Sequence, residues 1–500
     1  MEVSVRKVCV PLSFICFASF LFLIVFPGCM CNHNKQTDRP PDWHVYYKPS
    51  KPEKKDPYKQ LMVWLKPGST DVQFSQWIYD SIIKKGKSEE INISFVCGSC
   101  DSTLFLLEGK AIEVFMQGEV AQGGSSSKKK IPVTGESGPV YFGTNLPVFF
   151  PDKTLATERR RAELPKVTYS DAPVKVAVFD TGLDSALVSS YFSLYQSADS
   201  ACIPGGNAGW NFIENKNDFS DDNPQRHGTT VTSFITNEAG FYKNNSVEIL
   251  PVKVFAGDGT GDLFTILCGF AYAQNRKVNI INASFGFYEP LHKYDSNGNA
   301  LEAFTSPVML KAFIEHYLTQ NNILLLAAAG NKDDAIEDQE YDPADSLQKR
   351  NLDSVHFYPA SLSPVLPNVV AVTTVYKDLV SPTQNFSANV VDAGVAADYI
   401  DAAGNFVFVN PVNSSLPPVS GSSFATPVLT GKMAAWYHLY HPLLQGTPIT
   451  KEIRDSIFSL LKTNASPAFL TNIGALRSRI KEGKVIDHTG AGKQQAYRGK

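Results

Sequence analysis

The sequence predicts an α/β protein, a mainly parallel sheet flanked by helices, preceded by a small α+β module. Three observations carry that prediction. Short, nearly continuous apolar runs recur at 174–179 (VKVAVF), 249–255 (ILPVKVF), 278–284 (VNIINAS), 323–329 (ILLLAAA) and 368–375 (NVVAVTTV). Helix-like segments lie between them, at 228–236, 263–274 and 307–318. Strands apolar on both faces that alternate with helices describe a parallel sheet covered on both sides. The third observation is a separate stretch, 58–118, with its own strand, helix and strand pattern.

Composition agrees with a large folded core. Of 500 residues 43% are hydrophobic and 11% aromatic, which excludes disorder for the bulk of the chain. The 34 glycines and 31 prolines are too few for a collagen-like protein. The net charge of −3 gives no ground for a nucleic-acid partner.

The chain starts with an export pattern. Arg6 and Lys7 precede an uncharged stretch at 12–26 bounded by Pro11 and Pro27. That describes a signal peptide over 1–28 or, left uncleaved, a membrane anchor. Gly28 directly before Cys29 resembles a bacterial lipoprotein signal, which implies lipidation of Cys29 and membrane association through the N-terminus. Residues 29–57 carry Pro40, Pro41, Pro49, Pro52 and Pro57 among lysines and read as an extended tether.

The 58–118 module is justified element by element. Lys59–Lys66 alternates into a strand that Pro67-Gly68 ends. Ser69, Thr70 or Asp71 caps a helix whose Phe74, Trp77, Ile78 and Ile82 recur at helical spacing, and Lys84, Lys85 and Gly86 stop it. Ile91, Ile93 and Phe95 alternate in the next strand, and 103–107 makes another. Residues 119–164 read as a linker containing a maturation region, with Arg159-Arg160-Arg161 as a candidate cut or a solvated helix face. The main domain is expected at 165–465 and a tail at 466–500.

Eight cysteines allow several chemistries. Cys9 and Cys16 lie in the signal, and Cys29 and Cys31 flank its end. Cys97 and Cys100 form a Cys-x-x-Cys, without the second pair that zinc needs. Its surroundings, FVCGSCDSTLFL, read as strand, turn, strand, unlike the strand and helix around a redox dithiol. A structural disulfide or free thiols is the reading; the pairing stays open.

Chemistry in such sheets gathers at the carboxyl ends of strands. Asp180 ends the first apolar run, followed by Thr181 and Gly182. Asp-Thr-Gly could also be half of an aspartic-protease dyad, but the nearest second loop, Asp392-Ala393-Gly394, has the wrong middle residue. His227 stands directly before a helical run, with Gly228 allowing close backbone approach. Ser423 lies at the start of a long helix with Pro427 in its first turn, where proline is tolerated. A serine there can attack a carbonyl while its own N–H meets the oxyanion, although Ser420 and Ser422 compete for the role. Asn331 follows a buried strand and Gly330, and a side-chain amide there can donate to an oxyanion.

Together these residues resemble the subtilisin-like serine peptidases, the subtilase family. The order Asp180, His227, Asn331, Ser423 matches that family over roughly 165–465. Asp180-Thr181-Gly182, His227-Gly228-Thr229 and Gly421-Ser422-Ser423-Phe424-Ala425-Thr426-Pro427 match its three signatures, with Ser422 where the family most often has Thr and Thr230 where it commonly has a second His. The resemblance implies Ser423 as nucleophile, His227 as general base and then acid, Asp180 as the group that orients it, and Asn331 with the Ser423 N–H as oxyanion hole. It implies substrate contacts along Ser284, Phe285 and Gly286, facing Ala328, Ala329 and Gly330, with Phe285 either lining the pocket or packing beneath it. Tyr358-Pro359-Ala360 also fits.

The resemblance makes 58–118 an inhibitory propeptide-like module and polypeptides the substrates. It requires no cofactor. Family members often bind calcium; the acidic stretch Asp333, Asp334, Glu337, Asp338, Glu340, Asp342 and Asp345 supplies oxygen ligands but fits no defined calcium loop, and a solvated insertion is the plainer reading. The alternative function is a catalytically silent surface lipoprotein of the same fold acting as a binding module; an exported esterase is a further rival.

Overall fold

A computed structural model describes residues 59–86, 91–97, 100–122, 134–149, 173–188, 193–195, 202–203, 205–242, 247–288, 308–331, 350–465 and 468–488. The signal at 1–28, Cys29, the tether, Arg159-Arg160-Arg161 and the acidic stretch 333–345 lie outside the described residues. Among the described residues no helix is long and apolar enough to cross a membrane.

The N-terminal module is a five-stranded antiparallel sheet. Its strands are β1 (Leu61–Leu65), β2 (Asn92–Cys97), β3 (Asp101–Glu108), β4 (Thr134–Ser137) and β5 (Val140–Thr144), in the order β2-β3-β1-β5-β4. The expected helix is present as α1 (Asp71–Trp77), continued by a π-turn, and Thr70 caps it in a capping box with Gln73. A second helix is α2 (Lys110–Gln122).

Two boundaries differ from the sequence expectation. The 119–164 linker supplies β4, β5 and a third strand, β6 (Pro147–Phe149), so the module runs past residue 118. These strands are too short to show periodicity. Likewise the 466–500 tail supplies two strands of the main sheet, given below.

β1 also departs from simple alternation, being buried along its whole length. Leu61, Val63 and Leu65 join the module's own core, with Phe74, Trp77, Phe105 and Ile112. Met62 and Trp64 point the other way and join the core of the main domain, as do Leu104 and Leu106 of β3. The period of two therefore holds, but both faces are apolar because both are covered.

The main domain is built on an 11-stranded, mostly parallel sheet. Its central strands are β7 (Val174–Asp180), β8 (Val247–Lys253), β10 (Ile280–Ala283), β11 (Leu324–Ala328), β12 (Val369–Tyr376) and β13 (Ala393–Ala396). A short strand, β9 (Thr260–Asp262), precedes β10 in the chain and pairs with β6 of the module rather than with this sheet. At one edge β14 (Leu470–Asn472) and β15 (Lys484–Ile486) complete the order β14-β15-β13-β12-β11-β10-β7-β8. The five apolar runs are thus neighbouring strands, and two apolar cores cover the sheet's two faces.

The helices that matter here are α3 (His227–Phe241), α4 (Leu263–Asn275), α5 (Val308–Ile314), α6 (Ser422–Ala435) and α7 (Lys451–Asn464). α3 and α6 pack closely: a Cβ on Gly431 would stand 2.4 Å from Ile235 O.

Candidate active site

β7 runs through the middle of the sheet between β8 and β10, so its last residue, Asp180, emerges at the carboxyl end, 1% exposed. Its Oδ1 accepts from Thr181 N at 2.8 Å and lies 2.8 Å from His227 Nδ1. His227 opens α3 directly after Arg226, which holds a left-handed φ of 52°. Gly228 permits the approach, because a Cβ there would meet Gly182 O at 2.2 Å. Its N–H donates to Thr181 Oγ1, whose own proton goes to Asp221 Oδ1 at 2.9 Å.

Beneath this pair lies a buried acidic layer that sequence reasoning missed. Asp221 is fully buried and accepts from Thr229 N, Thr229 Oγ1 and Asn223 N. Burial pushes its carboxyl above the ordinary value, against the Thr229 bonds and the nearby Lys253 ammonium. Lys253, the last residue of β8, pairs with Asp222 at 2.6 Å and also donates to Thr181 O. A lysine ending an apolar run was the one available sequence signal.

α6 starts after Gly421, which holds φ at +132°, and Ser423 is its second residue, 6% exposed. Its carbonyl accepts from Ser284 Oγ at 2.7 Å, and Ser284 in turn accepts from Asn282 Nδ2 at 2.8 Å. Thr430 donates to Asn282 Oδ1 at 2.9 Å, which closes a buried chain tying α6 to β10. His227 and Ser423 therefore sit in the first turns of two packed helices, and the His227 ring lies 5.0 Å from that of Phe424.

Asn331 follows β11 across Gly330, which has φ +98°. Its Oδ1 accepts from Ser422 N at 3.0 Å and Ser422 Oγ at 3.2 Å. Ser422 Oγ accepts from Gly330 N at 3.0 Å. With the carbonyl end of the amide so occupied, Asn331 Nδ2 faces Gly421, where a Cβ would come within 3.2 Å.

The expected substrate edges are also placed. Ser284, Phe285 and Gly286 follow β10, while Ala328 ends the neighbouring β11 and Ala329 and Gly330 follow it. Phe285 is buried with its ring 5.1 Å from Phe255, so it packs into the core. Gly286 is required, since a Cβ there would lie 2.1 Å from the Phe357 ring. Among the described residues no group of acids, histidines and cysteines could hold a metal ion. Cys100, of the Cys-x-x-Cys, is joined to Cys202 in a disulfide, and Cys268 is disulfide-bonded as well.

The class defined by these features is an α/β protein with an Asp–His pair at the carboxyl end of a parallel sheet and a serine-led helix packed beside it. A family model described as the subtilase family matches residues 171–479, and the chain belongs to that family. It is 24% identical over 306 residues to subtilisin BL of Lederbergia lenta, covering 60% of this chain and 90% of that one. Over 116 residues it is 34% identical to the cell wall-associated protease of Bacillus subtilis (strain 168); that match covers 22% of this chain and only 12% of the relative. A mutant form of an epidermin leader peptide processing serine protease from Staphylococcus aureus shares the fold at TM-score 0.50 and 18% identity, covering 86% of this chain and 97% of that one.

Proposed function

We propose that this chain is an exported serine endopeptidase that cuts polypeptides through an acyl-enzyme intermediate. The observation that carries the reading is the 2.8 Å contact between His227 Nδ1 and Asp180 Oδ1, set beside the helix that Ser423 opens. Ser423 Oγ attacks the peptide carbonyl while His227 Nε2 takes its proton. Asp180 fixes the tautomer and stabilises the imidazolium that forms. The Ser423 N–H and Asn331 Nδ2 receive the oxyanion. His227 then gives the proton to the leaving amine, and water repeats the sequence on the acyl-enzyme.

Peptide substrates bind by strand addition between the edges after β10 and β11. The module also adds a strand to the main domain, at a different edge: its β6 pairs antiparallel with β9, Val148 opposite Gly261. That pairing supports a module made with the enzyme and packed on it as an intramolecular inhibitor. Calcium and the lipid anchor at Cys29 stay proposals drawn from sequence. Cys29→Ala is expected to release the protein from membranes, and unchanged partition in a membrane fractionation contradicts the anchor.

The deciding experiment pairs a serine-directed fluorophosphonate with a peptide-hydrolysis assay. Labelling and hydrolysis are expected in the parent and in neither Ser423→Ala nor His227→Ala. Hydrolysis that survives Ser423→Ala removes the reading; a parent that neither labels nor cuts points instead to a silent binding module.

A further inference from the structure

The oxyanion loop is held from two sides, and only one belongs to the serine helix. Ser422 fixes the Asn331 side chain through Oδ1. The main chain of the same loop is held elsewhere. Three consecutive carbonyls leave the sheet at 329–331, and each has a donor. Ala329 O accepts from Asn385 Nδ2 at 2.9 Å, Gly330 O from Asn385 N at 3.0 Å, and Asn331 O from Tyr288 Oη at 2.7 Å.

Tyr288 and Asn385 are themselves coupled. The second hydrogen of Asn385 Nδ2 goes to Tyr288 Oη at 2.8 Å, which leaves the phenol's single proton for Asn331 O. Asn385 Oδ1 lies 3.0 Å from the same Oη and is the longer of its two acceptor contacts. Asn385 is fully buried, and Thr373 Oγ1 donates to its carbonyl at 2.7 Å, so this pivot is rigid. Tyr288 sits two residues past Gly286, in the short strand Phe287–Tyr288 that pairs with Phe357–Tyr358. Its ring meets Phe357 edge-on at 4.9 Å. The phenol therefore spans the two substrate edges, from the segment after β10 to the loop after β11.

We propose that Tyr288, anchored by Asn385, is a positioning residue for the oxyanion hole: its hydroxyl sets the main chain of Asn331 and so aims the Asn331 amide at the reacting carbonyl. This rests on the serine-peptidase reading above. A donor displaced by a fraction of an ångström from a developing oxyanion loses much of its effect, because the gain is confined to the transition state. The loss thus falls on kcat and spares KM.

The test is a double-mutant cycle on the full chain. Tyr288→Phe keeps the ring and its Phe357 contact and removes only the donor. It is expected to lower kcat about five- to tenfold with KM within about twofold. In the Asn331→Ala background the same change is expected to alter kcat by less than about twofold, because the group it aims is gone. The rate of fluorophosphonate labelling follows the same non-additive pattern. Equal fold losses in both backgrounds, a loss carried by KM, or an unchanged kcat overturns the role. A parent whose hydrolysis survives Ser423→Ala overturns the peptidase reading first, and that control separates the two failures.

Discussion

Gly228 and Asn331 show how little room the site leaves. A methyl group on Gly228 would enter the van der Waals shell of Gly182 O, and backbone cannot swing aside as a side chain can. Gly228→Ala is expected to destabilise the fold by about 1–3 kcal/mol and to lower turnover further by moving His227 from Asp180; melting curves and steady-state kinetics on the same preparation check both. For Asn331→Ala a drop in kcat of about 10²–10³ is expected, a magnitude that belongs to subtilisin itself and is carried over to this relative rather than worked out from its geometry. Near-parent kcat in that variant would dismiss Asn331 as an oxyanion donor.

Between elements, the decisive contact is α3 on α6, because these helices carry His227 and Ser423. Their seam is close at Gly431 and contains a buried ion pair, Lys432 Nζ to Glu238 Oε2 at 2.7 Å. His488, just after β15, lies 3.4 Å from Glu238 Oε1 and 3.1 Å from Asp398 Oδ1, so the C-terminal strand closes over the pair. Burial pulls the Lys432 ammonium down, but Glu238 and Tyr242 outweigh it and leave it above its ordinary 10.5. Removing one partner strands the other charge. Lys432→Met is therefore expected to cost about 3–5 kcal/mol, read as a lower midpoint in denaturant. Because the folded value is raised, the bridge contributes in full below the ordinary ammonium value and is lost as pH rises through the folded one. The Lys432 share of the gap in stability between parent and variant should accordingly be lost in the alkaline range; a gap that stays unchanged as pH rises through that range contradicts this.

At the scale of the whole molecule, the module and the main domain share an apolar core and a covalent link. Trp64 stacks on Tyr141 within the module and meets Phe313 of α5 at 5.0 Å. Asn145 Oδ1 accepts from Phe264 N, and Leu146 O from Leu263 N, at the start of α4. The disulfide from Cys100 to Cys202 bridges the two, 102 residues apart in sequence. A cut anywhere between Phe149 and Val174 therefore leaves two pieces still joined. With a cleavable site inserted there, the fragments are expected to migrate together in a non-reducing denaturing gel and apart after reduction. Separation without reductant contradicts the link. If it holds, a cut there leaves the main domain covalently tied to the module, which non-covalent packing would not do.

The sequence by itself determined the sheet and the chain order of the candidate catalytic residues. Apolar runs buried on both faces can only be inner strands, and Asp180, His227, Asn331 and Ser423 each stand at a strand or helix end whose punctuation is local. What it left dark was set by distance along the chain. The strands at 134–149 and 470–486 are short, and become strands because a neighbouring edge receives them. The pairings Lys253 with Asp222, Lys432 with Glu238, Tyr288 with Asn385 and Cys100 with Cys202 join side chains that no periodicity relates. Only the folded chain decides them, because a hydrogen bond, an ion pair or a disulfide depends on a few ångströms in space, and spacing in sequence carries no information at that range.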